Sequence, residues 1–158
     1  AGDAGAGGVG AAVGGGGGHR GGGAVVGRGM EAWWYGWPRP RVVVLSFPHN
    51  PTTATIELPE LQRLVDWALE RDVILVHDFA YAETAFDGWK PPSILECRGG
   101  KDVAVELYSM AKSFSIAGLR MACLAGRSDG VEALAKPKSE LDSGASRPRP
   151  IPAPAPPH

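Results

Sequence analysis

The residues of this sequence that are best suited to chemistry come directly after runs of apolar residues. Asn50 follows a run that ends at Phe47, Asp78 follows a second run, and Ser109 and Lys112 follow a third. A lysine amine can attack a carbonyl group or carry a proton when a dry pocket lowers its pKa. Such chemistry requires the polar residues to lie close together, which depends on the elements that carry them.

Short apolar runs rich in β-branched residues predict the strands of a buried sheet. We predict four strands, at Arg41–Phe47, Val73–Val76, Val103–Tyr108 and Arg120–Ala125. Between the first two, apolar residues recur at helical spacing over Leu58–Arg71, and Pro59 stands in the first turn, where proline is tolerated. A last helix is predicted over Val131–Leu141, and we expect Pro137 to break or kink it.

Strands that alternate with helices indicate an open α/β sheet that is mainly parallel. In such sheets, ligands bind at the carboxyl ends of the strands. Asn50, Asp78, and Ser109 with Lys112 all follow predicted strands. We therefore expect these residues to meet at one edge of the sheet.

The composition separates an ordinary middle section from two biased ends. Glycine dominates residues 1–36, and proline, arginine and alanine dominate residues 145–158. Such segments cannot bury enough apolar surface to offset the entropy of ordering them, so we predict that both are disordered and that residues 37–144 fold. Gly5–Gly10 fits the dinucleotide-binding pattern Gly-x-Gly-x-x-Gly, but neither the strand nor the helix that this loop needs flanks it.

Charge and residue usage exclude several classes of function. The net charge is -1 and no basic stripe is present, which argues against a nucleic-acid partner. Cys97 and Cys123 form no Cys-x-x-Cys pair, so we predict neither a disulfide framework nor a zinc site. His49 and His77 have no third ligand at metal spacing, and we interpret them as packing or hydrogen-bonding residues. Without a signal peptide or an apolar run of roughly 18 residues, we expect a soluble, cytoplasmic protein with no membrane partner.

Three stretches of the sequence resemble the large domain of the class I/II aminotransferases, which are pyridoxal-phosphate enzymes of fold type I. They are Ser-Phe-Pro-His-Asn-Pro-Thr-Thr at 46–53, His-Asp-Phe-Ala-Tyr at 77–81 and Ser-Met-Ala-Lys-Ser-Phe-Ser-Ile-Ala-Gly-Leu-Arg at 109–120. The wording is most similar to the alanine and LL-diaminopimelate aminotransferase branch. The resemblance implies a three-layer α/β/α fold in which residues 37–144 are part of the cofactor-binding large domain. It also implies that full-length relatives are homodimers.

The resemblance further implies a cofactor, pyridoxal 5'-phosphate, and a reaction, transamination of an amino acid with a 2-oxo acid. Lys112 corresponds to the lysine that holds the cofactor as a Schiff base. Once the substrate replaces it, the freed amine can move a proton at the substrate α-carbon. Asp78 corresponds to the carboxylate that keeps the pyridine nitrogen protonated, which lets the ring draw in electrons.

The same resemblance assigns residues to the remaining polar groups of the cofactor. Asn50 and Tyr81 correspond to the donors that hold the negative charge of the phenolic oxygen. Ser109 and Arg120 correspond to the hydroxyl and guanidinium donors of the phosphate. We therefore predict that these four residues share one pocket with the lysine and the carboxylate.

Two alternatives compete with an intact aminotransferase. Ser109-x-x-Lys112 satisfies the Ser-x-x-Lys pattern of serine acyl transferases, but the Lys-Thr-Gly and Ser-Asp-Asn patterns that accompany it are absent from the sequence. The second alternative is a truncated, catalytically incomplete aminotransferase that at most binds pyridoxal phosphate. It is based on two family features to which no residues of this sequence can be assigned. These are the upstream phosphate loop and the C-terminal arginine that binds the substrate carboxylate. Leu119 also stands where the branch usually has an aromatic residue.

Overall fold

The computed structural model describes residues 29, 30, 35 and 39–141, without the side chains of residues 138–141. The segments 1–36 and 145–158, for which we predicted disorder, therefore lie almost entirely outside the described residues, as does the Gly5–Gly10 pattern. Met30 is described, and it packs against the hydrophobic core.

A sheet of four strands organises the described part of the chain. The strands are β1 (Val42–Ser46), β2 (Ile74–Asp78), β3 (Ala104–Ser109) and β4 (Ala122–Gly126). They lie in the order β1-β2-β3-β4, with β1, β2 and β3 parallel and β4 antiparallel to β3. The predicted mainly parallel sheet is confirmed, and each strand begins and ends within two residues of its predicted bounds.

Helices connect and follow the strands. They are α1 (Leu58–Arg71), α2 (Gly100–Val103), α3 (Met110–Ser113) and α4 (Ser128–Leu141), with 3-10 turns at Ile94–Glu96 and Ala117–Leu119. The prediction of α1 is confirmed. Asp72 follows its last residue in the left-handed conformation, and the N–H groups of Asp72 and Val73 both donate to the Ala68 carbonyl. The expected break at Pro137 is wrong, because α4 continues through it. Pro137 is exposed, so solvent can reach the carbonyl that its missing N–H leaves unpaired.

The sheet lies between helices on its two faces, which confirms the three-layer α/β/α arrangement. On one face, α1 packs against buried side chains of β1 and β2. These core residues are Val43, Leu45, Leu61, Leu64, Val65, Trp67, Ala68 and Leu75. Successive strand residues point to opposite faces, so Val105 of β3 faces away from Glu106. On that opposite face, Gly130 brings α4 close to the Val105 side chain.

Both cysteines are free thiols, with Cys97 buried and Cys123 exposed. Among the described residues, no group of His, Cys, Asp and Glu side chains is arranged to hold a metal ion. None of the described helices has the length and apolar character needed to cross a membrane.

Candidate active site

The polar residues singled out in the sequence lie along one edge of the sheet. Asp78 is the last residue of β2 and Ser109 is the last residue of β3, and these strands are parallel. Asn50 lies in the turn that follows β1. Arg120 comes just before β4, whose first residue, Ala122, pairs with Ser109. The carboxyl edge of the parallel strands therefore carries all of these residues.

Tyr81 brings three of these segments into contact. The Asn50 Nδ2 donates a hydrogen bond of 2.8 Å to the Tyr81 hydroxyl oxygen. The Lys112 Nζ lies 5.5 Å from the centroid of the Tyr81 ring, within the range of a cation–π interaction. We refer to Asn50, Tyr81 and Lys112 as the Tyr81 cluster. It joins the turn after β1, the turn after β2 and helix α3.

Asp78 presents a half-buried carboxylate at the end of β2. Its Oδ1 accepts a hydrogen bond of 3.2 Å from the Ala80 N–H. Among the side chains that the structure describes, no other hydrogen bond or ion pair to this carboxylate is present. The carboxylate therefore retains the capacity to accept from a further donor.

The described residues do not enclose the amine of Lys112. The side chains of Asn50, Lys112 and Arg120 are all exposed. In the described part of the chain, no hydrogen bond or ion pair joins Ser109 or Arg120 to the Tyr81 cluster. The dry pocket that the lysine chemistry requires is therefore not built by the described side chains alone.

A cleft of about 770 Å³ opens beside the Tyr81 cluster. Asn50 and Tyr81 line it together with Glu57, Phe86 and Trp89, whereas Asp78, Ser109, Lys112 and Arg120 do not. The Phe86 side chain is 83% exposed. We did not predict this cleft, because its aromatic residues lie in a connection that has no hydrophobic periodicity. The exposure of Phe86 follows from the fold and not from any pattern in the sequence.

A buried polar pair lies directly behind the site. The His77 Nδ1 is 3.0 Å from the Glu106 Oε2, and the His77 Nε2 is 3.2 Å from the Phe47 carbonyl oxygen. His49 also makes a side-chain hydrogen bond, of 2.8 Å to the Thr52 hydroxyl. The interpretation of both histidines as hydrogen-bonding residues is confirmed. The role of Glu106 was missed because it stands within an apolar run and meets His77 only through strand pairing.

Comparison with known proteins identifies the family. The family described as "Aminotransferase class I and II" matches residues 31–153. The chain is 43% identical over 112 residues to glutamate-pyruvate aminotransferase AlaC of Escherichia coli (strain K12), covering 71% of this chain and 27% of that protein. It is 42% identical over 106 residues to LL-diaminopimelate aminotransferase of Desulforudis audaxviator, covering 67% of this chain and 27% of that protein.

A solved structure agrees with the sequence relatives. Aspartate aminotransferase from Thermus thermophilus with maleate superposes with a TM-score of 0.66 at 26% identity, covering 77% of this chain and 30% of that one. The chain thus spans about a quarter of the length of the curated relatives it matches, 27% in each case. These relatives confirm the similarity to the alanine and LL-diaminopimelate branch. The chain belongs to the class I and II aminotransferases, a family of pyridoxal-phosphate-dependent enzymes.

Proposed function

We propose that this chain forms the cofactor-binding part of an aminotransferase that moves an amino group between an amino acid and a 2-oxo acid. The observation that carries the proposal is the Tyr81 cluster, in which an amide, a phenol and an amine from separate segments meet at the carboxyl edge of the sheet. Membership of the family supports the reaction class.

The chemistry of the available side chains fits pyridoxal phosphate. When bound, the cofactor supplies an aldehyde to which an amine can bond and a ring that draws electrons from the substrate carbon. Lys112 would provide the amine. Asp78 would hold a proton at the ring nitrogen, since its carboxylate is engaged by only one N–H of the described residues. Ser109 and Arg120 would bind the phosphate through hydroxyl and guanidinium hydrogen bonds.

The direction of the hydrogen bond from Asn50 determines what Tyr81 can do. Because the Asn50 amide donates to the Tyr81 oxygen, the hydroxyl proton of Tyr81 remains available to a further acceptor. Tyr81 would donate this proton to the anionic phenolic oxygen of the cofactor. Lys112, beside the face of the Tyr81 ring, would then be the base that removes a proton from the substrate α-carbon and later returns it.

A second candidate function is binding of the cofactor without turnover. The exposure of Lys112 favours it, because the described residues do not shield the amine from water as catalysis in a closed site requires. The name of one relative, glutamate-pyruvate aminotransferase, suggests which substrates to test. We therefore propose alanine with 2-oxoglutarate as the first pair of substrates to test.

Trapping the covalent adduct tests the cofactor site. Purified chain is mixed with pyridoxal phosphate and reduced with borohydride, and the modified lysines are mapped by peptide mass spectrometry. We expect modification to concentrate on Lys112 and to be lost in Lys112→Ala. Lys101→Ala is the matched control, because Lys101 is also exposed but lies on α2. Modification spread evenly over all lysines would refute the site.

A turnover assay separates the two candidate functions. The assay follows pyruvate formation from L-alanine and 2-oxoglutarate with the cofactor in excess. Turnover of about 1 per second, within the usual range for enzymes, would establish an active aminotransferase. A Lys112-specific adduct without turnover would establish cofactor binding alone.

A further inference from the structure

A network of buried hydrogen bonds connects β2 and β3 to the loop that carries Asn50. His77 is fully buried and Glu106 is 8% exposed. The Glu106 carboxylate accepts hydrogen bonds of 2.9 Å from the Ser93 hydroxyl and 3.0 Å from the Ile94 N–H, in addition to its contact with His77. His77 in turn reaches the carbonyl of Phe47, the residue that follows β1.

The contacts of His77 tie separate segments together. Its Nε2 is 3.2 Å from the Phe47 carbonyl oxygen, which can only accept a hydrogen bond, so this nitrogen is the donor. Its Nδ1 is 3.0 Å from the Glu106 Oε2, and the same oxygen accepts from the Ile94 N–H. The His77 ring therefore bridges the residue that follows β1 and a carboxylate of β3.

The network holds two parts of the candidate site from behind. Leu45 of β1 pairs with His77 of β2, and Ser46 pairs with Asp78. His77 and Asp78 point to opposite faces of the sheet because they are successive strand residues. His77 thus anchors the strand end from which Asp78 projects. Through the Phe47 carbonyl it also fixes the start of the loop that leads to Asn50.

We propose that the buried His77–Glu106 pair is a positioning device for the cofactor site, and this proposal rests on the function proposed above. In the proposed function, neither residue contacts substrate or cofactor. The pair sets the distance between the end of β2 and the loop after β1, and so allows Asn50 to meet Tyr81. An apolar pair of similar volume would fill the same space but would release the Phe47 carbonyl.

Nuclear magnetic resonance tests the network without any cofactor. In the full chain without cofactor, we expect His77→Gln to move the side-chain amide resonances of Asn50. Val73→Ala is the control for loss of buried volume. Val73 is buried in the core, but its apolar side chain cannot form a hydrogen bond to Phe47. An unmoved Asn50 amide in His77→Gln would overturn the proposal.

Equilibrium binding of pyridoxal phosphate provides the second readout. We expect His77→Gln to weaken affinity per folded molecule roughly tenfold or more, as loss of a hydrogen bond behind a metal ligand does. Val73→Ala should lower stability and leave this affinity unchanged. Equal affinity in His77→Gln and the unmodified chain would overturn the positioning role. If the unmodified chain fails to bind the cofactor, the proposed function fails, while the Asn50 amide resonances still decide whether His77 positions the loop.

Discussion

The side-chain amide of Asn50 donates a hydrogen bond of 2.8 Å to the hydroxyl of Tyr81, which lies 31 residues further along the chain. The two residues follow β1 and β2, which are adjacent parallel strands. Because parallel neighbours end at the same edge, their following loops can meet there. This bond links those two loops directly.

The first prediction concerns the coupling between these two residues. A double-mutant cycle with Asn50→Ala and Tyr81→Phe should give a coupling free energy of about 0.5–1 kcal/mol in unfolding, the usual net value of a hydrogen bond. The bond is exposed, which places it at the lower end of that range. Urea denaturation of the unmodified chain, the single variants and the double variant measures it. Strictly additive effects would show that the bond does not form in solution.

The second prediction concerns Asp78. Asp78→Asn keeps an oxygen that can accept from the Ala80 N–H, so circular dichroism and the unfolding midpoint should change little. The variant loses the charge that would hold a proton on the cofactor ring. We expect exchange of the α-hydrogen of L-alanine in deuterated water to slow by about a hundredfold, as when a preorganised charge is removed from an active site.

The control for this experiment is the same substitution at an aspartate outside the proposed site. Asp66→Asn changes a carboxylate on α1, where Asp66 accepts a hydrogen bond from Gln62 and has no role in the proposed site. Its exchange rate should match that of the unmodified chain. Equal rates in Asp78→Asn and Asp66→Asn would remove Asp78 from the proposed site.

The main elements could be predicted because their signals are local. The β-branched run of β1 and the helical spacing of α1 can be recognised from adjacent residues, and both elements were located correctly. Strand ends shifted by a residue or two because hydrogen-bond pairing, and not apolar character, sets them. Phe47 illustrates this: it is buried but lies beyond the last paired residue of β1.

Features that depend on pairing between distant segments could not be predicted from the sequence. The His77–Glu106 pair depends on the register between β2 and β3, in which these two residues are direct neighbours. The exposure of Lys112 depends on which residues cover helix α3, and no pattern in the adjacent residues indicates that. The motif residues were found through resemblance, and whether they share one pocket stays a prediction.

The third prediction concerns the two thiols. Burial, followed by the negative charges of Glu96, Asp66 and Glu106, raises the pKa of Cys97 to about 11. Cys123 is exposed. At mildly alkaline pH, a thiol reagent should label Cys123 rapidly and Cys97 only on unfolding. Comparison of the labelling rates of Cys97→Ala and Cys123→Ala assigns each phase.

The raised pKa of Cys97 also predicts how stability depends on pH. A raised folded-state pKa means that the unfolded chain loses this proton first, so the stability it contributes is present below the ordinary thiol pKa and is lost as pH rises toward about 11. Cys97→Ala should remove this part of the alkaline loss. An identical alkaline profile in Cys97→Ala would contradict the burial of the thiol.

The last prediction concerns Gly126, at the end of β4. Its φ is 127°, a conformation that L side chains rarely adopt, and a Cβ placed there would collide with the Ala104 carbonyl of the paired strand. That carbonyl accepts a hydrogen bond of 2.8 Å from the Arg127 N–H and cannot retreat without breaking it. Gly126→Ala should therefore lower the free energy of unfolding by about 2 kcal/mol or more, through backbone strain and overpacking together. Gly118→Ala is the matched control, since a Cβ at Gly118 would meet nothing within 4 Å and should change stability by less than about 0.5 kcal/mol. Urea denaturation of both variants measures the difference, and equal stabilities would show that β4 does not pair with β3 in this register.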